Sequence, residues 1–506
     1  MRIVWHRGDL RTHDHPALTA AAAGPVLGLV VLDPAILDAT TPRRRALFKA
    51  GVRALRSAYE ELGGVLVVRH GEPAEELVRL VDALPRPVEA IHAIASYTPY
   101  GVHRDGAALA AVRDIGLGIR WHDGAYVHSP GTVRTADDSF YSVFSPFHRR
   151  WRSLGTPDPE DPPTAIRAPR LDPGFDPGDI ADETTDVELP ESGEAAALEA
   201  LDTFVRERLP DYAEQRDRLD GAGTSHLSVY LTLGALSART AAARVEAAGG
   251  PGAGKWLSEL AWRDFMADLL YHRPDLLDRP FRPRWTRFDW SGDDPAFDAW
   301  RDGRTGIPVV DAAMRQLRET GWISNRARMV AAQFLAKNLR VDWRRGEAVF
   351  KDWLLDGDTA SNVGNWQWAS GLGVDNAPYF RVMNPVTQGK KHDPDGRWLR
   401  RWGPESDSDP RPRDPIADPG ASRKAYLDAV EAATDPGEEP PAPREPRLEL
   451  ATDAQLMTVD GVGPETAGAV LDALAHGPLD GPDSLSHVSG VGPRTAAALS
   501  ARFRAS

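Results

Sequence analysis

At 506 residues, with 42% hydrophobic and 26% charged side chains, the chain has the balance of a soluble globular protein and the length of about three to four ordinary domains, or fewer large ones. It contains no cysteine, which excludes disulfides, thiolate nucleophiles and Cys-ligated zinc or iron–sulfur centres, so redox chemistry here needs an organic cofactor or aromatic side chains. The net charge of −14 argues against a globally basic nucleic-acid binder while leaving room for local arginine clusters. There is no apolar run of membrane length, and the charged N-terminus does not read as a signal peptide, so a cytoplasmic protein is expected.

Residues 1–125 alternate β-rich runs (RIVWH, VLGLVVLD, GVLVVRHG, EAIHAIASY, IRWHDGAYV) with helical stretches over Arg43 to Leu62 and Ala74 to Leu84. This is the βαβ pattern of an α/β parallel sheet. No G-x-G-x-x-G follows the first strand, so an ordinary dinucleotide fold is not supported, and the strand tips stay the default ligand site. Residues 126–195 are rich in Pro, Asp and Gly and read as a long connection. From 196 to 403 the pattern is all-α, and twelve of the fifteen tryptophans fall there. Residues 404–447 form a Pro/acidic linker with one helix near Ala421 to Ala433. In 448–506, VDGVGPETAGAVLDAL and VSGVGPRTAAALSARF repeat without gaps 29 residues apart. Each sets Gly-Val-Gly at the mouth of a helix, where free N–H groups can take a phosphate. The pair resembles a small α module of tandem helix-hairpin-helix type, which implies contact with DNA backbone.

Within the helical region, Thr224, Ser225 and Ser228 put three hydroxyls before an amphipathic helix, which suits a diphosphate or simply a cap. Trp256, Glu259 and Arg263 share a helical face with Trp262 beside them; such a stripe is usually core, but charged members point to a cavity. Asn325, Arg328 and Met329 cluster next, with Arg326 pointing elsewhere. In DGDTASNVGNWQWASG, Asp356 and Asp358 can pair with Arg328, and Trp366 and Trp368 cannot face the same way at i and i+2 of a helix.

The motifs Arg7-x-Asp9-Leu10-Arg11-x-x-Asp14, GTSHLS, ELAWRDF, GIPVVDAAMRQLRETGWISNRARM, DGDTASNVGNWQW and APYFRVMNPVTQG occur in order, and residues 1 to about 403 resemble the photolyase/cryptochrome family, most closely its class I cyclobutane-dimer enzymes. The resemblance implies an N-terminal α/β antenna domain and a large all-α FAD-binding domain. It implies FAD held by Tyr212, Thr224, Ser225, His226, Leu227, Ser228, Trp256, Arg328, Asp356, Gly357, Asp358 and Asn362, the last facing N5 as in repair enzymes. Trp366, Trp343 and Trp290 match an electron relay to photoexcited flavin. Glu259, Trp262, Asn325, Met329 and Trp368 match positions that touch a flipped-out pyrimidine pair, photolyases being counted among base-flipping enzymes. Arg216, Arg263, Arg326 and Gln388 are expected to hold phosphates or the rim.

The implied activity is light-dependent splitting of cyclobutane dimers by electron transfer from reduced FAD, by a monomer acting on UV-damaged DNA. The alternative is a cryptochrome-type photosensor with a signalling tail. Tyr97 to Gly106 is similar to the deazaflavin-antenna members, while His103-Arg104 departs from the usual folate pattern, so deazaflavin is expected over folate. No metal is expected.

Overall fold

The computed structural model describes residues 1–506 except 173, 375–380, 404–413, 434–436, 438, 480, 505 and 506. The start of the APYFRVMNPVTQG motif and part of the expected linker therefore lie outside the described residues. Five strands, β1 (Arg2–His6), β2 (Val26–Leu32), β3 (Val65–His70), β4 (Ala90–Ile94) and β5 (Ile119–His122), form one parallel sheet in the order β3-β2-β1-β4-β5. All seven residues of β2 are buried, as expected for a parallel strand covered on both faces. The order reverses between β1 and β4, which marks the topological switch point. The helices Pro42–Glu61 and Pro73–Ala83 lie where the apolar periodicity placed them. A third, Pro99–Asp114, has no counterpart in the sequence reading.

The switch-point crevice is filled by the chain's own side chains. Arg7 pairs with Asp105 at 2.5 Å and lies 4.5 Å over Trp5, and Arg104 bonds Asp105 and Ser96. The loop after β1 buckles the sheet to the helical region. Leu10 N donates to Leu233 O, Arg11 reaches Gly234 O at 3.0 Å and Gly124 O at 2.8 Å, and Asp14 pairs with Arg239 at 2.5 Å. Gly234 caps its helix at φ +65°, and a Cβ there would collide with Gly8 O. The Arg7-to-Asp14 motif is thus an interdomain fastening.

The stretch expected to be a bare connection carries a helix, Phe144–Ser153. Phe144, Phe147 and Trp151 recur at helical spacing and pack against the long helix Gly250–His272. The rest of the connection runs as irregular chain, bonding Val26 through Arg167 O and Val68 through Pro177 O.

The C-terminal segment folds as two helix pairs, Asp453–Leu456 with Pro464–His476 and Pro482–Ser486 with Pro493–Arg502, around a core of its own. It is docked on the main body. Trp121 Nε1 donates to Glu449 O, Thr452 Oγ1 to Asp123, and Gln455 to Pro130 O and Tyr271 Oη. Arg502 reaches Gly131 O at 3.2 Å.

Beside this junction lies Asp268, fully buried, its Oδ1 taking the Gly131 N–H at 2.6 Å. Burial pushes its carboxyl up to about 7, against the pull of Gly131 N–H, Arg134 and Arg502. Between the unfolded value of 3.8 and about 7 the native state keeps a proton that the unfolded chain loses, so stability falls as pH rises through that window. Asp268→Asn is therefore expected to raise the melting temperature at pH 8 and to have little effect near pH 4; equal shifts at both pH values would contradict this.

Candidate functional site

A cavity of about 580 Å³ opens between the helices Gly250–His272, Asn325–Gln333 and Thr359–Ser370, within the range of small-molecule sites. Of the residues singled out in the sequence, Tyr212, Arg216, Ser225, Ser228, Trp256, Glu259, Trp262, Arg263, Asn325, Arg326, Arg328, Met329, Asp356, Gly357, Asp358, Asn362, Trp366 and Trp368 all border it. Helical spacing explains the convergence: Trp256, Glu259, Leu260 and Arg263 fall on one face of a single helix.

Asp356 is the fixed point of the polar wall. Arg328 Nη2 meets both its oxygens at 3.0 and 2.8 Å, and Ser228 Oγ donates to it at 2.6 Å. Arg44, from the sheet side, donates to Gly357 O at 2.7 Å. Asp358 caps the helix Thr359–Ser370 by accepting from Ser361 N at 2.7 Å.

Asn362 Nδ2 donates to Glu347, to the carbonyl at 3.1 Å and to Oε1 at 2.7 Å. With its donor so committed, the amide offers Oδ1 as an acceptor. Burial holds the Glu347 carboxyl above its ordinary range, against the Asn362 bond. Glu347 is a residue that sequence reasoning missed, since it lies on the helix Trp343–Trp353 with no local signal.

The opposite wall is aromatic. The Trp262 ring stacks on Phe144, centroids 3.8 Å apart and planes 9° apart, a contact of about 0.5–1.5 kcal/mol beyond area burial. Met329 and the half-buried Trp368 also border this space. Glu259 is held by Arg216 and, at 2.9 Å, by Lys255, so two cations occupy the carboxylate that faces the cavity. Trp366 and Trp368 border the same cavity, with Trp366 buried against Phe350 at 5.0 Å and Trp300 at 6.0 Å. Gly346 leaves room for the Trp366 ring, which a Cβ there would strike.

Several of the expected residues are engaged elsewhere or lie outside the cavity lining. Arg263 does not present its guanidinium as a phosphate clamp: it donates to Ala125 O at 2.9 Å and Leu231 O at 3.4 Å and lies over the Tyr126 ring. His226, at φ +57°, turns its ring onto Trp322 and borders a second cavity, which shares Asp356 with the first. Thr224 donates to Gly221 O, Leu227 is buried, and neither side chain lines the cavity. Gln388 lies outside it, bonded to Arg326 at 3.4 Å. Trp343 is buried and Trp290 half-buried, both outside the cavity lining. Arg104 and Asp105, read as antenna residues, are spent on structural pairs.

Residues 256–433 match the family described as the FAD binding domain of DNA photolyase, and residues 2–166 match the DNA photolyase family. The chain is 51% identical over 426 residues to the deoxyribodipyrimidine photo-lyase of Thermus thermophilus, covering 84% of this chain and 97% of that protein. It is 36% identical to the protein of that name from Escherichia coli, covering 80% of this chain and 89% of the other. Among solved structures, a class III photolyase from Agrobacterium tumefaciens superposes with a TM-score of 0.76 at 32% identity, covering 85% of this chain and 97% of the other. A cryptochrome from Synechocystis gives 0.76 at 25% identity, covering 85% of this chain and 99% of the other.

Glu347→Ala frees the Asn362 amide to turn. With flavin added, the midpoint potential of the variant is expected to fall by the worth of about one hydrogen bond, ~1 kcal/mol, with affinity for oxidised flavin little changed. An unchanged potential would show that Glu347 does not set the orientation of Asn362.

Proposed function

The chain belongs to the DNA photolyase family and carries out light-dependent DNA repair; we propose that it splits cyclobutane pyrimidine dimers, with FAD held in the central cavity and the lesion received against Trp262 and Trp368. The observation that carries this reading is the joining in one space of a polar wall, Arg328, Asp356 and Asn362, and an aromatic wall, Trp262 and Trp368. The residues fit a flavin: the Arg328–Asp356 pair has fixed polarity, Asn362 offers an acceptor, and Ser225 and Ser228 bring hydroxyls to a helix start. FAD bound there in its reduced form would supply one electron on photoexcitation and take it back, with no net redox change.

The chain's own residues do the rest. Tyr212 and Trp256 close one side of the cavity, and Asp356 is locked by Arg328 and Ser228 so that it cannot swing into the ligand space. Trp262, backed by Phe144, presents a rigid stacking face to a base pair that has already lost its own stacking. Glu259 hydrogen-bonds base edges once released. A backbone phosphate arriving at the rim competes for Arg216 and Lys255, so DNA binding itself frees the carboxylate.

Trp366, Trp343 and Trp290 form the relay. Trp366 and Trp343 are buried and Trp290 is half-buried, and of the three Trp366 borders the cavity. The buried Trp366 Nε1 has no hydrogen-bond partner among the described residues, which disfavours loss of its proton to a neighbour. A deazaflavin antenna remains part of the proposal on the Tyr97-to-Gly106 sequence. No helix among the described residues is long and apolar enough to cross a membrane.

For the C-terminal segment the reading is asymmetric. Residues 448–506 contain seven carboxylates and three arginines. The first hairpin, Gly461 to Gly463, is flanked by Asp460 and Glu465, whereas the second, Gly490 to Gly492, is followed by the exposed Arg494. A phosphate contact belongs to the second hairpin alone.

Reduced protein illuminated with dimer-bearing DNA is expected to return intact pyrimidines. Failure, with normal flavin photoreduction, would favour the photosensor. Trp366→Phe is expected to block photoreduction of oxidised protein and to spare repair by pre-reduced protein; loss of both would overturn the separation of roles. Arg494→Glu is expected to weaken DNA binding two- to tenfold, about 0.4–1.4 kcal/mol, without altering repair at saturating DNA. Unchanged affinity would remove the segment from the DNA interface.

A further inference from the structure

A DNA strand that delivers a flipped dinucleotide must be held on both sides of the cavity, and affinity for it comes mainly from phosphates. One side has Arg216 and Arg326. With Arg263 tied to two carbonyls, the Trp262 side needs another source of charge.

The helix Phe144–Ser153 meets that need. Its inner face is fixed to the lesion wall: Phe144 stacks on Trp262, the Phe147 ring centroid lies 5.1 Å from that of Phe265, and Trp151 Nε1 donates to Asp264 at 2.8 Å. Its outer face carries Arg149, Arg150 and Arg152, all exposed. Arg152 pairs with Glu246 at 3.0 Å. Arg149 and Arg150 make no side-chain hydrogen bond or ion pair to any described residue, in a chain where acids exceed bases by fourteen. Cations in the last turn also serve the helix dipole, which covers Arg150 and Arg152 but not Arg149.

Two observations bring this face to the mouth of the cavity. Arg149 lies ~7.5 Å along the helix axis from Phe144, the residue stacked on Trp262. His148, next to it, packs its ring on Phe144 and has its pKa lowered by burial first, then by the charges of Arg152 and of Lys255, a residue of the cavity rim.

We infer that Arg149 and Arg150 form a second phosphate-binding face that grips the DNA backbone on the Phe144 side of the lesion pocket. This rests on the DNA-repair reading of the cavity. Because the contacts go to phosphates, the face adds affinity equally for damaged and undamaged DNA and carries no lesion specificity.

The test is the double variant Arg149→Gln/Arg150→Gln, with wild type alongside, in binding titrations from 50 to 200 mM salt on duplexes with and without a dimer. Both side chains are exposed, and a thermal melt checks that the fold is kept. The slope of log K against log salt is expected to be less steep by about 1.8, from ~0.9 per phosphate contact, so that wild type loses about twelvefold more affinity than the variant over this range. The ratio of affinities for damaged and undamaged DNA, and single-turnover repair at saturating DNA, should match wild type. An unchanged slope overturns the inference. A changed ratio with an unchanged slope overturns it too, since these arginines would then act on the lesion. Wild-type protein that binds DNA without splitting dimers refutes the repair reading instead, and the slope on undamaged DNA still decides the phosphate face.

Discussion

The carboxylate of Asp356 is the constraint on which the cavity depends. It is 6% exposed, and a buried charge is tolerated only when paired and hydrogen-bonded. Arg328 comes from the helix Asn325–Gln333, Ser228 from the helix Ser228–Leu233, and the Asp356 backbone accepts from Thr232 Oγ1 at 3.1 Å. Two separate helices are thus drawn to one residue. Arg44 adds the sheet domain through Gly357 O. Removing Arg328 from such a pair leaves the buried carboxylate without its cation, typically at a cost of ~3–5 kcal/mol. The polar wall is therefore rigid before any ligand arrives.

Rigidity on that side contrasts with exchangeable pairing on the other. Glu259 is held by Arg216 and Lys255, with Lys255 43% exposed, and a partner this open to solvent is readily traded for a phosphate. The aromatic face behind it does not move with that exchange, because Phe144 and Phe265 brace Trp262 from the protein side. The site thus combines a preset stacking surface with a carboxylate whose cation partners are exchangeable.

The sheet and most of the cavity were legible in the sequence because both depend on spacing. A fully apolar run such as VLGLVVL reads as a buried parallel strand, and 256, 259 and 263 share a helical face whatever surrounds them. The helix Pro99–Asp114 was illegible for the converse reason: its buried set includes Arg104, Asp105 and Gly106, so no clean apolar stripe marks it. Contacts between distant segments were also beyond reach. Nothing local tells that Arg263 meets Ala125 O across 138 residues, or that Asn362 leans on Glu347. His226 was placed with its neighbours in a ligand-binding loop, but with a left-handed backbone at that residue the ring packs on Trp322 and borders the neighbouring cavity.

The C-terminal segment shows how composition misleads about independence. A Pro-rich acidic stretch before a repeat suggests a tethered arm, yet the module is bound by specific contacts at both ends of the fold. Arg120 pairs with Asp472 and Arg113 with Glu449 on the sheet side, while Gln455 bonds Tyr271 on the helix that carries Trp256 and Trp262. β5 is the last strand of the sheet, and an open edge is a standing invitation to non-native pairing. The helix Pro464–His476 packs against that strand. The module covers the edge and ties the sheet to the helix that carries Trp256 and Trp262, so it contributes to the geometry of the cavity.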